Sequence, residues 1–243
     1  MSPDLQATPP WLDWLDHGHA TAAAPVCLGT LMSSTTLPPG LLAPLPHQLV
    51  RSFLGAAWVE RLLTFAVEHE ASFSTSRVGD QSGRIDLDQR RSHRLRDLGV
   101  LRPELEDRFR GALALGLDAL RLQETQRELQ DVELELTAHL HGDFYRPHID
   151  TRTNPEAASF TRVMTGVYYF SATPRKFTGG TLRLFGVLPA EMGGSHVDVE
   201  PESDMLLLFP SWVRHEVLPV SCPGGDFGLA RFAINCWFRK KVG

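Results

Sequence analysis

A chain of 243 residues carries 24 Lys and Arg against 29 Asp and Glu, a formal net charge of −5, so a basic nucleic-acid surface is not the default expectation. With 42% hydrophobic and 22% charged residues, its composition is that of a globular protein able to bury a core, which excludes disorder of the whole chain. The three cysteines, Cys27, Cys222 and Cys236, form no C-x-x-C pair, which argues against a disulfide scaffold and a structural zinc site and makes a reducing cytoplasm the simplest compartment.

The first fifty residues hold Asp4, Asp13 and Asp16 but no Lys or Arg, so neither a secretory n-region nor an Arg-rich transit helix is expected. No apolar run approaches the roughly 20 residues that span a bilayer, so no membrane partner is expected. Residues 1–46, with Pro9-Pro10, Leu37-Pro38-Pro39-Gly40 and Ala43-Pro44-Leu45-Pro46, read as an extended Pro-rich arm. Its Trp11 and Trp14 favour packing on the body or on a second subunit, a route to a homodimer, although the oligomeric state is left open. Residues 47–243 read as one domain.

In chain order, Leu49–Leu54 is a candidate short strand, and Ala56 to Glu70 places Trp58, Leu62, Phe65 and Ala66 at helical spacing. From Ala71 to Arg94 the pattern gives way to a polar stretch with Arg77, Arg84, Arg90, Arg91 and Arg94, read as a long loop. Pro103 opens a second amphipathic helix carrying Leu105, Phe109, Leu113, Leu117 and Leu120 and running to Glu128. Beyond Gln130, Val132, Leu134, Leu136, Ala138 and Leu140 alternate with Glu133, Glu135, Thr137 and His139. Further strand-like runs follow at Val163–Phe170, Thr181–Phe185, His196–Val199, Met205–Phe209, Arg214–Val220 and Leu229–Phe238. The pattern predicts an α+β domain, two N-terminal helices buttressing a β-sandwich or jelly roll.

His148-Ile149-Asp150 sets an imidazole and a carboxylate two residues apart, on one side of an extended segment. With one more His this is the two-His, one-carboxylate set that holds Fe(II) with open positions. About one H-x-D is expected by chance, and the chain holds a second, His196-Val197-Asp198. His215 follows His148 by 67 positions, enough chain to cross a barrel and return, but follows His196 by only 19. Valines alternating with His196 and Asp198 also mark a half-buried strand, so these two are assigned to the outer face. In Arg231-Phe232-Ala233-Ile234-Asn235-Cys236-Trp237-Phe238, Arg231, Ala233, Asn235 and Trp237 share one face, and an inward Arg231 needs an anion, either a protein carboxylate or a ligand's.

Five blocks occur in a familiar order: Phe144-Tyr145-Arg146-Pro147-His148-Ile149-Asp150, Gly166-Val167-Tyr168-Tyr169-Phe170, Phe177-Thr178-Gly179-Gly180-Thr181-Leu182-Arg183-Leu184-Phe185, Leu208-Phe209-Pro210-Ser211 with His215-Glu216-Val217, and Arg231 to Trp237. From about Val132 to Phe238 the chain resembles the prolyl 4-hydroxylase-like branch of the Fe(II)/2-oxoglutarate dioxygenases. The resemblance implies a double-stranded β-helix (jelly-roll/cupin-like) with His148, Asp150 and His215 on iron and Arg231 on the distal carboxylate of 2-oxoglutarate. It also implies that Tyr169 shares that carboxylate, that Tyr145 stands beside the metal entrance, and that Leu182, Val217 and Asn235 line the cosubstrate pocket. Near the metal-side carboxylate, where relatives often carry Tyr, this chain has His139 or Ala138, which leaves that contact open.

The implied cofactors are Fe(II), 2-oxoglutarate and O2, with succinate and CO2 released and a C–H bond oxidised. Asp150 in the carboxylate position leaves no opening for halide, which favours hydroxylation over halogenation. The expected substrate is an amino acid, a peptide or a protein side chain, or another small molecule, prolyl being the first guess. Two alternatives stand beside it. One is a non-oxoglutarate cupin binding metal through His139, His141 and His148, although the Glu that usually follows the cupin H-x-H is missing. The other is an alkylation-repair-type demethylase, disfavoured by the acidic net charge and by the absence of R-x-N-x-x-x-R after Arg231. The arginine-rich stretch Arg77–Arg94 is either a solvated loop or a lid that grips an acidic substrate, and Thr151–Thr161 is a second candidate specificity loop. Tyr168 and Trp212 are assigned to core or rim, and Cys236 to a buried inert thiol.

Overall fold

A computed structural model describes residues 45–78, 84–151 and 159–242. By its contacts the chain divides into residues 1–36 and 37–243, and everything described lies in the second unit. The expectations for the arm up to residue 44, including Trp11 and Trp14, and for Cys27, fall outside the described residues. So does most of the candidate loop Thr151–Thr161. Among the described residues no helix is long and apolar enough to cross a membrane.

Three helices form where the apolar spacing demands them. Helix α1 (Ala56–Glu68) buries Trp58, Leu62 and Ala66, one residue per turn, which lays a single stripe against the core. It starts after Gly55, whose N–H and that of Leu54 are both taken by the Asp204 carboxylate at 2.8–3.1 Å. The single helix expected from Pro103 to Glu128 is instead two, α2 (Arg102–Gly111) and α3 (Leu113–Leu120). Gly111 weakens the helix at the joint, and α3 ends where Arg121 turns left-handed (φ 53°) while the Leu122 N–H reaches back to the Leu117 carbonyl at 3.1 Å.

The strands are β1 (Gln48–Arg51), β2 (Ser74–Thr75), β3 (Arg90–Arg91), β4 (His93–Leu95), β5 (Asp131–His139), β6 (Phe144–His148), β7 (Phe160–Phe170), β8 (Thr178–Gly179), β9 (Leu182–Phe185), β10 (His196–Val199), β11 (Met205–Pro210), β12 (His215–Val217), β13 (Val220–Ser221) and β14 (Arg231–Lys241). The stretch read as a polar loop from Ala71 to Arg94 therefore contributes β2, β3 and β4, strands too short to repeat an alternation. The run expected over Arg214–Val220 divides into β12 and β13.

These strands pair antiparallel into a seven-stranded sheet, β1-β11-β7-β14-β5-β4-β2, and a five-stranded sheet, β10-β9-β12-β6-β3, with β13 and β8 forming a separate ribbon. The result is the expected double-stranded β-helix. Alternation then sorts every residue of the large sheet. Leu134, Leu136 and Ala138 of β5, Phe232, Ile234, Cys236 and Phe238 of β14, Met164, Tyr168 and Phe170 of β7, and Leu206 and Leu208 of β11 point outward into one cluster with the helices. Gly116 of α3 sits so close to Met164 and Leu208 that a Cβ there would meet the Met164 sulfur, so the helix lies flat on the strands. The residues one position along, on the inner face, build the site.

Candidate active site

Register brings the three candidate ligands together. His148 ends β6 and His215 opens β12, and the two are direct partners across the antiparallel pair, with ring centroids 4.2 Å apart. Asp150 lies two residues beyond His148, with its backbone N–H on the Ser211 carbonyl at 2.9 Å. Its carboxylate stands 3.6 Å from His215 Nε2 and 3.9 Å from His148 Nε2. Ligand atoms of all three lie within 4.8 Å of one another, the spacing that a metal ion needs.

The surroundings hold each ligand in its working form. His148 Nδ1 bonds the Arg146 carbonyl at 2.9 Å and His215 Nδ1 the Val213 carbonyl at 2.8 Å. A carbonyl can only accept, so each Nδ1 carries a proton, and in a neutral ring the Nε2 lone pair is then free to face the shared point. Burial, together with the neighbouring His215, lowers His148 to about 3, so it stays neutral at physiological pH. Burial pushes Asp150 up, but His215, His148 and Arg162 outweigh it and hold the carboxyl at about 2, ionised. Thr165 donates its hydroxyl to Asp150 Oδ2 at 2.8 Å and is itself within 2.9 Å of the Ser211 hydroxyl. Tyr145 stacks on His148, centroids 3.5 Å apart and planes at 16°.

On the same inner face, β14 places Arg231 directly opposite His139 of β5. Arg231 is 2% exposed. Its Nε donates to the Gly180 carbonyl at 2.7 Å and its Nη1 to His139 Nδ1 at 3.5 Å. Gly180 has φ +70°, and a Cβ there would strike Arg231 Cδ, which explains the glycine pair in Phe177-Thr178-Gly179-Gly180. Three buried polar atoms in this group have no hydrogen-bond partner among the described residues: Arg231 Nη2, Tyr169 Oη and His139 Nε2. An arginine only donates, so His139 accepts at Nδ1 and carries its proton on Nε2. Burial and the Arg231 charge hold His139 well below the ordinary histidine value, and burial raises Tyr169 to about 12, so both are neutral. All three orphans can therefore donate, and among the described residues no carboxylate takes them up. The donor set fits an anionic ligand such as a carboxylate.

Leu182, Val217 and Asn235 line the same cavity as His139, Tyr145, the triad and Arg231. Of the two candidates for the metal-side position, Ala138 points into the outer apolar cluster, and His139 stands against Arg231. The alternative set His139, His141 and His148 is not assembled, because His141 is exposed and its Nδ1 accepts the Cys222 N–H at 3.3 Å. His196 and Asp198 lie exposed on the edge strand β10, where Arg183 grips Asp198 through two bonds of 2.8 and 2.9 Å. Sequence reasoning missed Thr165, Ser211, Arg162, Trp237 and Glu135. The alternation that placed Arg231 inward also places Trp237, and Glu135 shares the face of His139, so period two was the available signal.

Residues 134–239 match the family model of the 2OG-Fe(II) oxygenase superfamily. Over that stretch the chain is similar to the superfamily. An uncharacterized PKHD-type hydroxylase of Synechocystis sp. is 29% identical over 202 residues, covering 79% of this chain and 63% of that protein, so the chain spans less than two thirds of its relative. Among solved structures, a Pseudomonas putida prolyl-4-hydroxylase superposes with a TM-score of 0.58 at 23% identity, over 80% of this chain and 93% of the other. A Trichoplax adhaerens prolyl hydroxylase, solved with a hypoxia inducible factor peptide fragment, gives 0.60 at 20% identity, over 80% and 84%. These two likenesses establish the shared fold of the oxygenase domain.

Proposed function

We propose that the protein is an Fe(II)- and 2-oxoglutarate-dependent hydroxylase acting on an unactivated C–H of an amino acid, a peptide or a protein side chain, with a prolyl group the first candidate. The observation that carries this reading is one cavity holding a His-Asp-His set at metal-ligand spacing together with a buried arginine surrounded by unpartnered donors. His148, Asp150 and His215 would hold the iron, aimed by their backbone and Thr165 bonds. Arg231, with Tyr169 and His139, would take the distal carboxylate of 2-oxoglutarate, and Leu182, Val217 and Asn235 would line its carbon chain. Iron and 2-oxoglutarate together supply the oxidising chemistry, releasing succinate and CO2. The protein's share is to bind, to orient and to keep water out. Arg231, His139 and Tyr169 present donors in a dry pocket, where a charge-assisted bond is strong. Tyr145 stiffens His148 from one side, and Phe209 meets His215 edge-on with centroids 4.8 Å apart.

The test is succinate formation from 2-oxoglutarate with Fe(II), with and without free amino acids and proline-containing peptides. Succinate stimulated by one class names the substrate. No 2-oxoglutarate turnover under any condition, with iron bound, would refute the oxygenase reading.

A further inference from the structure

The cavity that holds the triad is also lined by Arg90, Arg94 and Arg96. Arg96, Arg94 and Arg90 step inward, their side chains 44%, 12% and 9% exposed, and all three reach the buried carboxylate of Glu135. The contacts are long: Arg96 Nε at 3.2 Å, Arg94 Nη1 at 3.4 Å and Arg90 Nη2 at 3.5 Å, where charge-assisted bonds usually close to about 2.7–2.9 Å. One carboxylate has about four acceptor sites, and three guanidinium groups bring roughly fifteen N–H donors. Among the described residues the only other acidic side chain lining this cavity is that of Asp150, which belongs to the triad. Three positive charges thus share one negative charge in a largely dehydrated wall. Burial, opposed by Glu135 and reinforced by Arg96 and Arg90, already lowers the Arg94 guanidinium from its ordinary value.

The group also touches the reaction centre. Arg90 lies over the Tyr145 ring, 4.7 Å from its centroid, and Tyr145 is the ring stacked on His148. Glu135 and Thr137 of β5 carry the wall on toward His139, and Arg94 pairs with Thr137 across β4 and β5.

We propose that the substrate carries an oxyanion, a carboxylate or a phosphate, which docks on Arg90, Arg94 and Arg96 and so delivers the neighbouring C–H to the triad. The inference rests on the oxygenase reading and names the substrate class of the same site. Glu135 then acts as the hub that gathers the three side chains when no substrate is present, leaving an excess of two positive charges for the incoming group.

The experiment titrates inorganic phosphate, and separately acetate, into protein loaded with Zn(II) and saturating 2-oxoglutarate, followed by calorimetry. One anion site per chain is expected, with its dissociation constant raised at least tenfold in Arg94→Gln and severalfold in the more exposed Arg96→Gln. The control Arg91→Gln, an exposed neighbour outside the cavity, should titrate like the wild type. The tighter of the two probes identifies the oxyanion. In turnover, compounds that stimulate succinate formation should lose the effect as methyl esters or amides. No anion binding in the wild type, a midpoint that ignores both Arg94→Gln and Arg96→Gln, or equal stimulation by an uncharged ester would each overturn the proposal. Anaerobic titration of 2-oxoglutarate into the Fe(II) protein, read by its visible charge-transfer band, tests the oxygenase reading separately. Loss of that band in the wild type sinks the oxygenase, whereas a normal band with no second anion site sinks only the arginine dock.

Discussion

The two faces of the seven-stranded sheet are built from the same strands, one residue apart, and do opposite work. Outward, Leu136, Ala138, Phe232 and Ile234 are sealed under the helices with 0% exposure. Inward, Thr137, His139, Arg231 and Asn235 surround a cavity with buried donors left over. A one-residue slip in β5 or β14 would exchange the faces and destroy both, so the apolar face sets the register on which the polar face depends. Stability and chemistry are therefore separable by residue parity, and substitutions on the two faces should fail differently.

The largest effect is expected on the inner face at the metal set. His148→Ala and His215→Ala each remove a ligand from a three-ligand site, so iron binding and succinate formation should both fall to background in a protein that still melts cooperatively. Iron retained at full occupancy in either variant, measured after desalting, would displace that residue from the metal set.

Next comes Arg231. Arg231→Ala would leave the distal carboxylate of 2-oxoglutarate buried without its partner, at a cost of about 2 to 5 kcal/mol, and the 2-oxoglutarate midpoint should rise at least tenfold. Arg231→Lys should recover only part of this, because the planar fork is lost. Gly180→Ala should move the midpoint in the same direction without touching any charge, since the new methyl group collides with Arg231 and the backbone there has positive φ. An unchanged midpoint in Arg231→Ala would return the residue to a structural role.

On the outer face the effect is smaller and of another kind. Ile234→Val removes one methylene group from a fully buried site beneath the helices and should lower unfolding stability by about 0.5–1.5 kcal/mol. The 2-oxoglutarate midpoint of the folded protein should not move. A shifted midpoint would show that the two faces are coupled more tightly than parity suggests.

Where the signal was periodic, the chain was readable. Strict alternation in β5 and β14 disclosed both faces, and helical spacing found α1 and the start of α2. What stayed hidden was short or distant. Strands of two or three residues such as β2, β3 and β4 are too short to repeat an alternation, so Arg90 and Arg94 read as loop and the wall that they form with Arg96 around Glu135 could not be seen. Thr165 and Ser211 lie 46 positions apart and become partners on Asp150 only through the pairing of β7 with β11. The break at Ala112 falls beside Gly111, a poor helix former that the continuous apolar stripe outweighs in the sequence pattern. His148 and His215 were recoverable because their order and spacing, with the surrounding blocks, match a family pattern.

The smallest expected effect is at His196, and it tests the distinction between two identical spacings. His148-Ile149-Asp150 and His196-Val197-Asp198 both put an imidazole and a carboxylate two residues apart, yet only the first has a third ligand in register, His215 on the neighbouring strand. In the second, the strand partner of His196 is Phe185, and Asp198 is held by Arg183 through two short bonds that leave it neutralised and turned to solvent. His196 is half exposed, so its removal empties no cavity, and its 4.0 Å approach to Asp198 is a solvent-exposed contact of about 0–1 kcal/mol at most. His196→Ala should therefore change neither iron occupancy, nor the 2-oxoglutarate midpoint, nor succinate formation. If this variant instead lost iron while His148→Ala kept it, the pairing of β6 with β12 could not be what assembles the site, and the ligand set would have to be sought on β10.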